Sequence, residues 1–410
     1  MNTHNWQATK IENSKHQDKI SLELNNLNYI SRNKKIITLE DNNEYTEFIS
    51  CSYLGLDQHP DILKAAMTNL TNIGGIFSAA KSRMKPAILE ELEHELNKVF
   101  HAHTITFTST HLATLGILPL IASGKIPSFK HNGRVKFFMD SFAHASIQIN
   151  RGLLSQFGEI ILVDFTNLNF LESLLKLESS KMITPILLTD SVRSMGIALD
   201  IENIIKLVNQ YNGVVYFDDA HGMSIFGKTG AGYVLDCLGY LPPRVIIGTS
   251  LAKGFGTSGG VIIVPTEKDK SFIRTHCSTY IFSGSFYNTL IYASIASTKI
   301  HLSNELAALQ NDYFSNLKYF DSLLPHNIIR NHQLYTTPIR GIHIGDEYTA
   351  IKVATQLKQS RYLVTVSSYP IVKKGEAMLR VLIAANHTKK DIHQFSQQVL
   401  KILPVYEESK

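Results

Sequence analysis

Apolar residues along this chain gather into short unbroken runs, and the stretches between them repeat apolar positions every third or fourth residue. Seven runs predict buried strands: Thr104–Ser109, Val135–Asp140, Glu159–Phe165, Pro185–Asp190, Val214–Asp219, Arg244–Ser250 and Gly260–Val264. They are continuous rather than alternating, which suits parallel strands covered on both faces. Helical spacing fills the intervals, as in Ile201–Tyr211. In Pro86–Phe100, Leu89, Leu92, Leu96, Val99 and Phe100 share one face, with Pro86 at the expected first helical position. The pattern predicts an α/β chain with a large, mostly parallel, seven-stranded sheet.

The texture changes after about Phe286. A long helical stretch, Ser303–Leu324, precedes the strand-like Gly341–Ile344, a helix near Tyr348–Gln359, the runs Leu363–Tyr369 and Met378–Ala385, and a last helix from Thr388. This predicts a smaller α+β C-terminal domain. The expected division is an N-terminal arm and small-domain segment (1–50), a large domain (51–290) and the small domain (291–410). There are no repeats or low-complexity tracts.

Composition narrows the class. The chain has 410 residues, 44% hydrophobic and 18% charged, enough for a large core and two domains. A net charge of +5 is mild, and its 17 histidines are scattered, so no nucleic-acid arm is expected. Any steering of anions is expected from local clusters such as Lys81, Arg83 and Lys85. The three cysteines, Cys51, Cys237 and Cys277, lie far apart without a CxxC, which argues against a disulfide framework or a metal site. The polar N-terminus lacks a signal-peptide core, and Leu112–Ala122, interrupted by Thr114, is too short to span a bilayer. A soluble, cytoplasmic protein with no membrane span is expected.

Chemistry-bearing residues collect at strand carboxyl ends, where open α/β sheets place ligands. Asp140 and His144 end one strand; Asp190, Ser191 and Ser194 another; Asp218 and His221 the next; Ser250 and Lys253 the fourth. Each has an ordinary reading. Asp190 is as well explained as a helix cap, and His144 alone reads as a satisfied histidine. Ser109–Gly116 is an ordinary helix start, or one whose backbone N–H groups bind phosphate. Lys253 differs, because it sits in an uncharged run of small residues where a solvated face explains little. A lysine to condense with an aldehyde, a carboxylate to keep a pyridine nitrogen protonated and an imidazole beside the ring hydroxyl are what pyridoxal 5'-phosphate (PLP) needs. The set predicts a PLP enzyme.

The sequence also resembles the α-oxoamine synthase family of fold-type I PLP-dependent transferases. The family includes aminoketobutyrate-CoA ligase, aminooxononanoate synthase, serine palmitoyltransferase and the α-hydroxyketone autoinducer synthases. The likeness runs from Ser52–Pro60 to Leu379–Thr388. DDAHGMSIFGKTGAG is similar to the family block DEAHSxGxxGxxGxG, FGTSGG to the glycine strand after the lysine, and LRVLIAANHTKKDI to the C-terminal pattern. The resemblance implies that Lys253 bears the cofactor and moves the α-proton, Asp218 pairs with the ring nitrogen, and His221 bonds the phenolic oxygen. It implies further that His144 stacks on the ring, Ser194 lies near the ring hydroxyl, and Ser250 with the Thr110 and His111 N–H groups holds the phosphate. Arg380 would bind the amino-acid carboxylate. Amino-acid and acyl-CoA substrates, decarboxylation to an α-aminoketone and a homodimer with shared active sites complete what the resemblance implies. The alternative on the same fold is an aminotransferase.

Three departures from the pattern stand out. The family's Asn-Asn before Tyr-Leu-Gly is Cys51 and Ser52; its small-residue segment reads GGIFSAAKSRMKP, with Leu89 at the helix-start histidine; and its FSTxLPP block reads FSGSFYN, with Gly284 at the threonine and Ser285 as the expected substitute. For the apolar and aromatic residues near Phe282 and Phe286, core packing is a better reading than the lining of an acyl tunnel.

Overall fold

The structure is a computed structural model that describes residues 6–8, 24–68, 70–76, 80–131, 133–179, 182–284, 286–330, 337–369 and 371–407. The chain divides into two compact units. The first is built chiefly from Leu56–Arg193 and Ala198–Ala307; the second takes its described residues from Gln7–Gly55, Ser194–Ile197 and Ala308–Lys410.

The second unit opens with an antiparallel meander that the apolar pattern did not announce: β1 (Tyr29–Asn33), β2 (Ile36–Leu39) and β3 (Glu44–Glu47). These strands are short, and β1 is mostly exposed, so neither unbroken runs nor clean alternation mark them. The turn between β1 and β2 is Lys34–Lys35, with Lys34 at φ 53°. It is held by a buried ion pair from Lys35 Nζ to Glu47 Oε1 at 2.9 Å, not by turn-forming residues.

The first unit contains the seven strands expected from the apolar runs. They are β4 (His103–Phe107), β5 (Val135–Asp140), β6 (Gly158–Val163), β7 (Thr184–Asp190), β8 (Val214–Asp218), β9 (Val245–Ser250) and β10 (Gly260–Val264), in the order β4-β10-β9-β8-β7-β5-β6. Only β10 runs against its neighbours. Every residue of β5, β8, β9 and β10 is buried, which is why the runs lack alternation. Helix α1 (Ile88–Phe100) turns Leu89, Leu92, Leu96, Val99 and Phe100 inward. It begins after Pro86, whose carbonyl accepts the Leu89 N–H instead of standing inside the first turn. Helix α2 (Thr110–Ser123) follows β4, capped by Ser109, whose Oγ accepts the Leu112 N–H. The short α3 (Ala145–Gln148) follows β5, α4 (Ile201–Gln210) precedes β8, and α5 (Asn288–His301) comes late in the unit.

The second unit resumes with β11 (Ile329–Arg330), β12 (Ile339–Gly345), β13 (Tyr362–Leu363), β14 (Thr365–Ser367) and β15 (Ala377–Leu382). The run Leu363–Tyr369 serves two sheets. β13 joins β3 in parallel, and after one residue β14 joins β15 antiparallel. Helices α6 (Glu347–Gln359) and α7 (Lys389–Glu407) close the small domain. Among the described residues no helix is long and apolar enough to cross a membrane, and no group of His, Cys, Asp or Glu gathers to hold a metal ion.

Candidate active site

The strand ends of the first unit converge as polar groups. Asp190 and Asp218 are register partners on neighbouring parallel strands, and both are buried. Burial, followed by the Asp218 carboxylate, pushes the Asp190 carboxyl well above its ordinary value. Asp190 accepts the backbone N–H of His144 at 3.0 and 3.2 Å, which anchors the loop after β5. The His144 ring is exposed, and its Nδ1 lies 2.9 Å from Ser146 Oγ. Ser146 Oγ in turn donates to Asp218 Oδ2 at 3.2 Å, and Asp218 Oδ1 accepts the Ala220 N–H at 3.1 Å. Ser146 thus joins His144 to Asp218, a link that sequence reasoning missed although DSFAHAS placed the serine two residues past the histidine.

Lys253 stands in the loop after β9, with Nζ 2.9 Å from His221 Nε2. His221 is buried in the turn after β8. That turn is fixed by Asp219, whose N–H donates to Gly248 O at 2.8 Å and whose carboxylate takes the Ser191 hydroxyl and the Val234 N–H. Burial raises the Asp219 carboxyl to about 7. Next to the lysine loop, the start of α2 is pressed onto the sheet. Thr110 Oγ1 donates to Thr249 O at 3.2 Å, and a Cβ on Gly260 would lie 2.5 Å from Thr110 N. Only glycine permits that approach. The N–H groups of Thr110 and His111 belong to the first helical turn, where no earlier helical carbonyl can receive them. Ser250, the last residue of β9, is buried and accepts the Ala252 N–H at 3.2 Å.

Lys253, His221, Asp218, His144, Thr110, His111 and Ser250 therefore all belong to the first unit. Ser194 and Arg380 belong to the second, where they touch: Arg380 Nε on β15 donates to Ser194 O at 2.8 Å. Cys51 lies there too, hydrogen-bonded to the fully buried Tyr53, whose hydroxyl pKa burial drives far up. Asp140 is clamped by Arg193 through bonds of 2.8 and 2.7 Å, a structural pair. Lys81 corrects an expectation. It is no exposed steering charge, being 3% exposed. Its Nζ donates to Thr106 O at 2.7 Å and lies 3.9 Å from the centre of the Tyr280 ring, and burial lowers its pKa to about 8. Lys85 is tied to Glu90. Phe286 is buried against Gly259, whereas Phe282 is 80% exposed. Ser285 lies outside the described residues.

The model of the family "aminotransferase class I and II" matches residues 44–399. The chain is 30% identical over 369 residues to an 8-amino-7-oxononanoate synthase of Coprothermobacter proteolyticus, covering 88% of this chain and 86% of that one. It is 28% identical over 369 residues to a serine palmitoyltransferase of Bacteriovorax stolpii, covering 88% and 81%. Among solved structures it resembles a serine palmitoyltransferase variant from S. paucimobilis with a bound PLP–myriocin aldimine, with a TM-score of 0.83 at 19% identity over 99% of each chain, a likeness that shows the fold. With the family model spanning most of the chain and a relative aligned over nearly its whole length, this chain belongs to the class I and II aminotransferase family, in its α-oxoamine synthase branch.

Proposed function

We propose that this chain is a PLP-dependent acyltransferase that condenses an amino acid with an acyl thioester, loses CO2 and yields an α-aminoketone. The observation that carries the reading is the pairing of Lys253 with His221 at 2.9 Å, one strand from the buried Asp218. The named activities of the relatives support it.

The residues present fit the cofactor. Asp218 is a buried acid at a strand end with the acid Asp190 as its register partner, and burial together with Asp218 favours the protonated form of Asp190, so a cationic ring nitrogen beside Asp218 would be a favourable partner for this site. The start of α2, pressed against Gly260, presents N–H groups and the positive end of a helix dipole to a phosphate. When bound, PLP supplies an electron sink for the amino acid's α-carbon. Asp218 then keeps the ring nitrogen protonated. Lys253 takes the α-proton and returns one after condensation, and His221 bonds the ring hydroxyl. His144 covers a ring face, with its backbone fixed by Asp190 and its imidazole by Ser146. Ser250, Thr110 and His111 hold the phosphate. Arg380 as carboxylate anchor, Ser194 beside the ring hydroxyl, acyl-CoA as donor and a homodimer with shared sites rest on the resemblance.

The deciding assay mixes the PLP-loaded protein with amino acids and acyl-CoAs and follows free thiol and CO2. Thiol release that needs both substrates and disappears in Lys253→Ala supports condensation. Turnover that needs only a 2-oxo acid as acceptor would replace this reading with transamination.

A further inference from the structure

Three residues past His221 the backbone enters the left-handed region at a residue that carries a side chain. Ser224 has φ 72° and is fully buried. The family block quoted above has glycine at this position, where such a backbone carries no Cβ penalty. Ser224 is held on two sides. Its N–H donates to Gly230 O at 2.8 Å, and its Oγ lies 2.8 Å from Nε2 of His301, the last residue of α5. The other ring nitrogen of His301, Nδ1, is 2.8 Å from Ser297 O. A carbonyl only accepts, so Nδ1 carries the hydrogen, and in the neutral ring Nε2 receives the Ser224 hydroxyl proton. Burial keeps this ring neutral by lowering its pKa to about 4.

The same helix holds the lysine loop. Ser297 Oγ donates to Phe255 O at 2.7 Å, Thr257 Oγ1 lies 2.9 Å from Ser294 Oγ, and the Phe255 and His301 rings are 4.7 Å apart. The two segments also touch directly. A Cβ on Gly254 would lie 2.9 Å from Met223 O and 3.0 Å from Ser224 Cβ. The turn bearing His221 and the loop bearing Lys253 are thus both fastened to one short stretch of α5.

We propose that Ser224 and His301 form a buried tie, a positioning pair that holds the His221 turn against the Lys253 loop and so sets the 2.9 Å approach of the two side chains. It deepens the reading of Lys253 as the cofactor-bearing lysine and rests on it, while the tie itself concerns this chain's own contacts.

Hydrogen exchange of the PLP-loaded protein tests it, comparing wild type with Ser224→Ala, Ser224→Gly, His301→Ala and the double variant Ser224→Ala/His301→Ala. The Gly256 and Thr257 N–H groups, bonded to Lys253 O and Leu251 O, report on the lysine loop. Exchange in 251–257 is expected to rise about tenfold in Ser224→Ala, although the substitution lies outside that segment, and the double variant should exchange no faster than His301→Ala. The pH midpoint of the visible absorbance of the bound cofactor should move by about half a unit or more, which a purely local support would not cause. Ser224→Gly removes the side chain from a left-handed position and keeps the test open should His301→Ala fail to fold. Faster exchange confined to 222–226, with the lysine loop and the pH midpoint at wild-type values, would overturn the tie. A wild type with no visible band after PLP addition would instead refute the proposed function, and the same exchange comparison made on the unloaded proteins would then decide the tie.

Discussion

Asp190→Asn removes the cost of burying a carboxylate at the strand ends beside a second one, burial being the larger cause and Asp218 the next. Asp190 and Asp218 are register partners on adjacent strands, and adjacent strands lie about 4.8 Å apart. Two unit charges roughly 5 Å apart at an effective dielectric of about 20 repel by about 3 kcal/mol. Burial adds to this, and Lys253 offsets part of it. The folded chain consequently holds a proton on Asp190 more tightly than the unfolded chain does. Where the folded state binds more protons, stability falls as pH rises, so the loss begins above the ordinary carboxylate value near 4 and continues up to the raised folded value. Asparagine keeps an oxygen for the His144 N–H, now met at 3.0 Å, and has no charge to lose. In cofactor-free protein, the stability of Asp190→Asn minus that of wild type should therefore increase by about 1–3 kcal/mol between pH 5 and pH 8, read from urea unfolding at each pH. Asp219, raised to about 7, titrates in both proteins and cancels in the difference. A flat difference across that range would refute the argument, because it would mean that Asp190 stays ionised beside Asp218 without penalty.

Other outcomes follow from the same geometry. Asp218→Asn should still take up PLP yet slow exchange of the amino acid's α-proton with solvent deuterium by a hundredfold or more, on the order of a lost preorganised electrostatic partner. Near-normal exchange, followed by NMR, would remove the role given to that carboxylate. Arg380→Ala should weaken amino-acid binding about ten- to a hundredfold, the equivalent of about 1.5–3 kcal/mol for a charge-assisted contact, with little change in PLP binding. Unchanged affinity with a lowered unfolding temperature would show that Arg380 serves only its bond to Ser194 O. Lys35→Met should cost about 3–5 kcal/mol in urea unfolding by leaving the buried Glu47 carboxylate without its cation. A cost below about 1 kcal/mol would mean that solvent reaches that carboxylate.

The large sheet was legible because its strands are buried on both faces, so each had to be an unbroken apolar run such as Val214–Phe217. The meander β1–β3 was not, because its turn depends on Lys35 reaching a carboxylate twelve residues away and no local signal encodes that pairing. The run Leu363–Tyr369 is divided between two sheets by a single residue, which composition does not reveal.

Within the candidate site, the sequence singles out residues whose chemistry is unusual for their surroundings. Lys253 among small residues is the clearest, and the structure places it against His221. The residues that hold this chemistry in place were not found, because Ser146, Asp219 and His301 are ordinary residue types whose importance lies in their partners. Lys81 shows the reverse error. Its charge suggested solvent, yet a carbonyl, a tyrosine face and burial account for it completely. Ser224 lies between these cases. The block around it was recognised by pattern, and the serine at its glycine position was visible. Only the backbone angle of 72° turns that substitution into a question about strain. The answer lies 77 residues further along the chain, in a histidine that burial keeps neutral and that can therefore accept the serine's proton. A contact of this kind is specified by the fold rather than by either segment's own sequence, so substitutions at Ser224 and His301 should be coupled to each other more strongly than either is to its sequence neighbours.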